Sequence, residues 1–350
     1  MSDNSIEQVT LGRIDGQPVE AYRLSAGGTS IEVMTFGAIL TRLTRPDRNG
    51  QIDDIVLGYD DPADYVSKPG NAGAICGRHA NRMAEGRFEL NGTTFELPRN
   101  NGAHHLHGGL PGFGKCFWSA HPHPENNIVE FRLHSPDGDQ GYPGAMDAST
   151  TYRLSDKGTL SITMRATSDR ATVVNLIHHG YWNLAGHDSG SVEDQVLRIA
   201  ADAYTPVTPD KIPTGEVAPV AGTAFDFTTA KPIGRDIAAA WPSGGYDHNL
   251  CHSDFDGSMQ LCAEAHDPAS GRALTIRSNQ PGVQLYTANH YADTPTPGKG
   301  GALYRRYAGF ALETQNFPNA PNVPGFPSSV LRPGETYEHR MEIAFSTVAP

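Results

Sequence analysis

The chain has 350 residues, of which 38% are hydrophobic and 19% are charged, a composition typical of a globular protein and not of a disordered one. Its formal net charge is −12, so the sequence lacks the positive surface expected of a nucleic-acid-binding protein and disfavours a bulky polyanionic substrate. Glycine (38) and proline (26) are abundant and scattered, which predicts many turns between short elements and excludes an architecture of long helices.

The N-terminal residues 1–12 contain neither a basic segment nor an apolar run. No apolar stretch of the chain is long enough to span a membrane. Cys76, Cys116, Cys251 and Cys262 are far apart in sequence, with no Cys-x-x-Cys pair among them. We therefore expect free thiols in a reducing compartment, and a cytoplasmic protein that does not associate with membranes.

Apolar and polar residues alternate with a period of two through much of the chain, which predicts half-buried antiparallel strands. Residues 88–97 alternate around Asn91-Gly92, a dipeptide that favours a tight hairpin turn. A second hairpin is predicted over residues 152–164. Near the C-terminus, residues 337–345 form another long alternating run.

The best candidates for helices are residues 61–68 and 231–241, and both segments are short. The chain contains no repeat of fixed period and no low-complexity linker, and strand patterns continue without a compositional break. The sequence therefore predicts an all-β protein in which residues 1–350 form one domain, a large antiparallel β-sandwich whose loops carry the function.

Residues 77–82 precede the first predicted hairpin and contain two candidate binding residues. Asn81 and Arg82 together offer planar hydrogen-bond donors that suit the hydroxyl oxygens of a ligand. A structural alternative is that the arginines of this segment, Arg78 and Arg82, bind the carbonyl oxygens of nearby loops.

Residues 100–109 contain three histidines within four positions. The spacing of His105 and His107 resembles the beginning of a cupin metal motif, but Pro111 and Gly112 stand where that motif needs a glutamate. We therefore predict no metal site, and we expect one of these histidines to be functional while the others belong to the loop.

His179 lies beside Tyr181 and Trp182, and a histidine among aromatic rings is typical of sugar sites, where rings stack on the sugar and polar groups bind its hydroxyls. The alternative is a core histidine packed among aromatic side chains. Glu313 lies between apolar neighbours in a strand-like run, on the same predicted face as Gln315. A buried carboxylate is costly unless it is functional or paired, so either catalysis or an ion pair with an arginine would explain it.

Taken together and in chain order, these segments resemble the aldose 1-epimerase (galactose mutarotase) family from about residue 73 to residue 345. The matching stretches are Gly-Arg-His-Ala-Asn-Arg at 77–82, Asn-Asn-Gly at 100–102, Leu-His-Gly-Gly at 106–109, Asp-Gly-x-x-Gly-Tyr-Pro-Gly at 137–144, His-x-Tyr at 179–181 with Asn-Leu at 183–184, Tyr-Asp-His-Asn at 246–249, Pro-Gly-Val-Gln at 281–284 and Leu-Glu-Thr-Gln at 312–315.

This resemblance implies a β-supersandwich with an open sugar cleft and no cofactor, and an isomerase that interconverts α and β anomers of hexoses such as galactose or glucose. By the same resemblance, Glu313 is the general base and His179 the general acid. The residues expected to bind the sugar hydroxyls and the ring oxygen are Asn81, Arg82, His107, Tyr181, Asp247 and Gln284.

The chain departs from the family pattern around the expected acid. His178 stands where asparagine is usual, Gly180 where serine is usual and Trp182 where phenylalanine is usual. Because two of these residues flank His179, they could reshape the pocket, so the preferred aldose stays open, as does a part for His178 in proton transfer.

Anomer interconversion requires removal of a proton from the anomeric hydroxyl and delivery of a proton to the ring oxygen. A carboxylate and an imidazolium on opposite sides of the sugar would do both. For His179 to begin as the acid, a nearby carboxylate, Asp247 or Glu313, must favour its charged form, since an ordinary histidine is mostly neutral at pH 7.

Three alternatives stay open at this point. A glycosidase would need two acids, for which only Glu313 and Asp247 are candidates. A non-catalytic sugar-binding β-sandwich would need neither acid nor base. A hexose-6-phosphate 1-epimerase would want basic residues beyond Arg82, which the sequence does not display as a cluster. The substrate is expected to be a small sugar, and the protein a monomer or a homodimer.

Overall fold

The computed structural model describes residues 5–240, 242, 244–252, 254–292 and 295–349. Strands dominate these residues, and the one α-helix among them covers Asp64–Ser67. Short 3-10 helices cover Ala84–Gly86, Phe113–Lys115, Pro124–Asn126, Asp139–Gly141, Ile233–Ala239, Asn289–Tyr291, Lys299–Gly301 and Ala320–Asn322. Within the same residues, no helix combines the length and the apolar character that crossing a bilayer would require.

Three sheets account for most of the strands, and we name them by position and size. The N-terminal sheet contains, in spatial order, Ser5–Ile14, Gln17–Ala26, Thr29–Met34, Ile39–Pro46 and Ile52–Asp54. The large sheet contains Ser119–His123, Ile128–Ser135, Met146–Leu154, Leu160–Ser168, Tyr337–Thr347, Arg272–Ser278, Gln260–His266, Val196–Ile199 and Lys231–Pro232. The central sheet contains Tyr181–Trp182, Phe310–Gln315, Gly282–Tyr286, Asp247–Cys251, Ala203–Tyr204 and Ala218–Pro219.

Five two-stranded ribbons complete the described strands. They pair Arg82–Met83 with His105–Leu106, Arg87–Leu90 with Thr93–Glu96, Thr172–Val173 with Val330–Leu331, Ile75–Cys76 with Ile177–His178, and Thr296–Pro297 with Leu303–Tyr304. Every pairing between these named strands is antiparallel. The predicted all-β antiparallel sandwich is therefore confirmed.

The predicted strand patterns are confirmed at the residues that carried them. Asn91 and Gly92 both have positive φ angles, 52° and 76°, as a two-residue hairpin turn between the paired strands requires. Strand Tyr337–Thr347 alternates as predicted, with Met341 and Ile343 buried and Glu342 exposed between them.

The two predicted helices are shorter than expected. Residues 61–68 contain the α-helix Asp64–Ser67, whereas residues 231–241 contain a strand and the 3-10 helix Ile233–Ala239. Lys231 and Pro232 do not enter a helix because they pair with the edge of strand Val196–Ile199. Trp241, the end of the second prediction, lies outside the described residues.

The core lies between the sheets. Ile162, Leu274 and Ile343 of the large sheet belong to one buried cluster with Leu285 and Leu312 of the central sheet. Apolar side chains of the N-terminal sheet join the same cluster. One face of the central sheet is thereby committed to this core, and its other face carries a second apolar cluster that includes Tyr181 and Ala311, together with polar residues.

Candidate active site

Three adjacent strands of the central sheet place a row of polar side chains on its outer face. Successive side chains of a strand point to opposite faces, so apolar residues such as Leu250 and Leu285 enter the core while their neighbours face outward. The outward residues are Asp247 and Asn249, Gln284 and Tyr286, and Glu313 and Gln315. The register pairs Gln284 with Asn249 on one side and with Glu313 on the other.

Glu313 and His179 meet in a pocket of about 310 Å³ above this face. The Nε2 atom of His179 lies 3.5 Å from Oε1 of Glu313, and the two residues are only 4% and 2% exposed. The backbone fixes His179, because its N–H donates to the carbonyl of Ala74 and its carbonyl accepts from the N–H of Gly73. The predicted acid and base are therefore brought together, side by side and not on opposite sides of a sugar-sized space.

Burial controls the protonation of this pair. It raises the pKa of Glu313 well above its ordinary value, with the charge of Asp247 adding to the rise and Arg82 opposing it. Burial lowers the pKa of His179 to about 4, although Asp247 acts in the opposite direction. The prediction of a charged His179 is wrong for the unliganded protein, because desolvation outweighs the neighbouring carboxylates. These shifts favour a neutral imidazole beside a protonated carboxyl, whose proton can pass to the imidazole.

Asp247 stays charged because several groups surround its carboxylate. Gln284 Nε2 donates to Oδ1 over 2.8 Å, Lys211 Nζ lies 3.2 Å from Oδ2, and Arg82 Nη2 lies 3.6 Å from the same oxygen. Burial alone would raise the pKa of Asp247, but Arg82 and Lys211 bring it below its ordinary value. A fixed negative charge and two cations thus form one wall of the pocket.

Gln284 is held within the polar row of the sheet, and its direct binding of the sugar stays a prediction. Its amide nitrogen is engaged by Asp247, and its carbonyl oxygen accepts from Gln315 Nε2 over 3.2 Å. Gln315 Nε2 also donates to Asn249 Oδ1. Gln284 therefore positions Asp247 by donating to its carboxylate from the neighbouring strand.

Two loops bring Asn81, Arg82 and His107 over the sheet. The ribbon between Arg82–Met83 and His105–Leu106 joins them, and the N–H of His107 donates to the carbonyl of Asn81. The N–H of Asn81 donates in return to Nδ1 of His107 over 3.2 Å. In a neutral imidazole, an accepting Nδ1 assigns the proton to Nε2, so His107 presents a donor to the pocket. Burial also lowers the pKa of His107 well below its ordinary value.

His107, His179 and Glu313 each place one potential ligand atom within 4.8 Å of the others, a spacing that is compatible with a divalent metal ion. The hydrogen bonding of His107 does not suit it. Metal-bound histidines donate from their second nitrogen, whereas Nδ1 of His107 accepts from a backbone N–H. The same three atoms suit proton transfer to oxygens better than they suit a metal ion.

Other polar residues of the sequence motifs have structural roles. Arg78 donates to the carbonyls of Ser135, Pro136, Pro143 and Gly144, which is the alternative considered for its segment. His105 is buried between the carbonyl of Pro98 and the hydroxyl of Tyr142. His178 points away from His179 into the core, against Tyr152 and Trp182.

Five pocket residues with polar side chains were not predicted as site residues from the sequence: Asn71, Asn101, Lys211, Tyr286 and His290. Tyr286 could have been found, since it lies two positions after Gln284 and therefore on the same face of a strand. Its hydroxyl accepts from the N–H of His290 and bonds Nδ1 of the same residue over 2.9 Å. Asn71, Asn101 and Lys211 lie on loops and His290 lies in a 3-10 helix, so only the tertiary structure brings these four to the site.

Comparison with known proteins identifies relatives over nearly the whole chain. Residues 20–344 match the family model described as aldose 1-epimerase. The chain is 42% identical to human galactose mutarotase, over 98% of this chain and 99% of that protein. It is 36% identical to an aldose 1-epimerase of Haemophilus influenzae, over 97% and 99% of the two chains.

Two solved structures are similar along their entire length. An aldose epimerase homologue from C. elegans superposes with a TM-score of 0.87 at 29% identity, covering 99% of this chain and 100% of that one. A galactose 1-epimerase from Lactobacillus acidophilus superposes with a TM-score of 0.84 at 27% identity, with the same coverage.

Proposed function

This chain belongs to the aldose 1-epimerase family, and we propose that it interconverts the α and β anomers of free hexoses through Glu313 and His179. The observation that carries the assignment of these roles is their approach to 3.5 Å inside a buried pocket. The anomeric oxygen and the ring oxygen are both bonded to C1, so an acid and a base that lie side by side can serve them together.

Ring opening needs the ionised form of the pair. Hydrogen bonds from sugar hydroxyls favour a carboxylate, so sugar binding moves the shared proton from Glu313 to His179. Glu313 then accepts the proton of the anomeric hydroxyl, His179 delivers its proton to the ring oxygen, and the bond between C1 and the ring oxygen breaks.

The open-chain aldehyde turns about the C1–C2 bond and closes on its other face. In closure His179 takes the proton back from the C5 hydroxyl while Glu313 returns a proton to the new anomeric oxygen. The pair ends with the protons with which it began, so the cycle consumes nothing.

The remaining pocket groups hold the sugar during this turn. His107 donates from Nε2, and Arg82 and Asp247 bind hydroxyls at the wall away from C1. Tyr181 packs its ring 5.0 Å from that of His179 and limits the movement of the acid. Asn81 positions His107 and Arg82 through its backbone N–H and its side-chain oxygen.

Polarimetry of freshly dissolved α-galactose and α-glucose tests the activity. We expect the approach to anomeric equilibrium to accelerate in proportion to protein concentration, above the spontaneous rate. A rate equal to the spontaneous one for both sugars, at micromolar protein, would refute the proposed function.

The alternatives are less well supported by the site. A glycosidase needs two carboxyl groups across the scissile bond, and Asp247 is instead engaged by Arg82, Lys211 and Gln284. Release of nitrophenol from aryl glycosides would favour that alternative. A non-catalytic sugar-binding module would not require Glu313 and His179 to be in contact.

The proposal also covers the location of the protein, its domain organisation and its oligomeric state. All four cysteines are free thiols, in keeping with a cytoplasmic location. The shared core of the three sheets supports a single domain over the chain. The catalytic groups described above all come from one chain, which accords with a monomer or a homodimer.

A further inference from the structure

We propose that Lys211 is a sugar-binding residue that reads a hydroxyl at the end of the substrate opposite C1, an assignment that rests on the proposed function. Lys211 lines the catalytic pocket and also an adjoining cavity of about 320 Å³, so its side chain stands where the two spaces meet. The cavities also share Arg82 and Asn101 as lining residues.

The sheet register gives the direction in which a bound sugar extends. Glu313, Gln284 and Asp247 lie on three successive strands, and two interstrand spacings separate the first strand from the last by about 10 Å. With C1 at Glu313 and His179, a pyranose ring extends along this row toward Asp247. Lys211 lies on Asp247, 3.2 Å from Oδ2, at the far end of the row.

The ammonium group of Lys211 has hydrogen-bond donors beyond the one that faces Asp247. A lysine carries three N–H donors, and the contact with Asp247 occupies one of them. The side chain is 31% exposed, so the remaining donors are open to the pocket and to water. Asp247 can accept from one sugar hydroxyl while Lys211 donates to the oxygen of its neighbour, which gives the pair a defined preference for a hydroxylated sugar end.

The backbone at Lys211 is a second, independent observation. The residue has a φ of +66°, a left-handed conformation that favours glycine over a long side chain. It closes a tight turn in which its N–H donates to the carbonyl of Thr208 and the N–H of Ile212 donates to the Thr208 hydroxyl. A position that glycine would fill with less strain holds a lysine whose side chain enters the pocket, which points to a function for the side chain.

The test compares Lys211→Met, Lys211→Arg and Lys211→Gly in initial-rate mutarotation. We expect Lys211→Met to raise KM for galactose about tenfold or more, as loss of a charged hydrogen bond does, with kcat within about twofold of wild type. Lys211→Arg should restore most of the affinity. Lys211→Gly relieves the backbone strain, so it should fold at least as stably as wild type and still show the raised KM.

A panel of sugars separates direct binding from an indirect effect through Asp247. The panel contains galactose, 4-deoxygalactose and 6-deoxygalactose, and NMR exchange measurements follow each anomer. If Lys211 binds the missing hydroxyl, the KM penalty of Lys211→Met should fall to about threefold or less for one deoxy sugar. Lys157→Met, in an exposed turn outside the pocket, is the matched control and should behave as wild type.

The contrary results are distinct. An equal penalty for all three sugars, an unchanged KM, or a loss confined to kcat would overturn the assignment of Lys211 while leaving the proposed function standing. A wild-type chain that accelerates mutarotation of no panel sugar would overturn the proposed function and this inference with it.

Discussion

The effect of a substitution at Gly180 is expected to depend on the residue at position 178, because the His178 ring occupies the space that a side chain at position 180 would need. A Cβ atom at position 180 would lie 2.6 Å from Cε1 and 3.2 Å from Nδ1 of His178. The His178 ring has little room to retreat, since it is 2% exposed and packs against Tyr152 and Trp182. Gly180→Ser should therefore destabilise the protein by about 2 kcal/mol, within the range of overpacked cores.

His178→Asn replaces the ring with a smaller side chain and so leaves space for a serine at position 180. It also removes a ring whose two nitrogens have no hydrogen-bond partner among the described residues. In that background the cost of Gly180→Ser should fall below about 1 kcal/mol, a coupling of at least about 1 kcal/mol between neighbouring sites. Because the two residues flank His179, mutarotase activity should fall in Gly180→Ser and recover in the double variant.

Guanidinium unfolding of the four proteins of this cycle measures the coupling. Gly325→Ser is the control, since its Cβ would meet nothing within 4 Å and its backbone angles suit any residue. It should change stability by less than about 0.5 kcal/mol in either background. A Gly180→Ser penalty that is the same with histidine and with asparagine at position 178 would refute the packing explanation.

Three further outcomes are expected. Lys299→Met removes a buried ammonium group that lies 2.6 Å from half-buried Asp54 and should lower the free energy of unfolding by about 3 kcal/mol, so a denaturation midpoint equal to that of wild type would contradict the ion pair. Burial lowers the pKa of His79 and His178 to about 3, against an ordinary 6.5, so the unfolded chain binds more protons below pH 6.5. Stability should be complete above pH 6.5 and should fall by about 1.4 kcal/mol per pH unit for each histidine as the pH drops toward 3, and thermal melts that are flat from pH 7 to pH 4 would oppose this. The pH profile of kcat/KM should show an acid limb near pH 4, where His179 becomes protonated while Glu313 keeps its proton. An acid limb at pH 6.5 would instead indicate a histidine of ordinary pKa and would contradict this.

Local patterns in the sequence were enough for the fold class and for the strands. The Asn91-Gly92 turn and the alternation from Tyr337 onward depend on neighbours in sequence, and both were found where predicted. The alternation also placed Glu313 and Gln315 on one face, which became the outward face of the central sheet.

The charge state and the boundary of the site could not be predicted in this way. Desolvation of His179 depends on what covers it, and that cover comes from distant segments such as the loop of His107. The contact of Gln284 with Asp247 could not be predicted either, because the sequence does not show which residues of neighbouring strands meet. Lys211 carries no periodic signal, since its position depends on a strained turn.

The central claim is that Glu313 and His179 share one proton and pass it to and from the sugar. Glu313→Gln keeps the shape of the side chain and removes its proton-accepting oxygen, so the most direct measurement is the mutarotation rate of this variant beside its affinity for galactose. We predict a fall in kcat of at least about a hundredfold, while sugar binding measured by calorimetry stays within about tenfold of wild type. A Glu313→Gln protein that opens and closes galactose at nearly the wild-type rate would contradict the account.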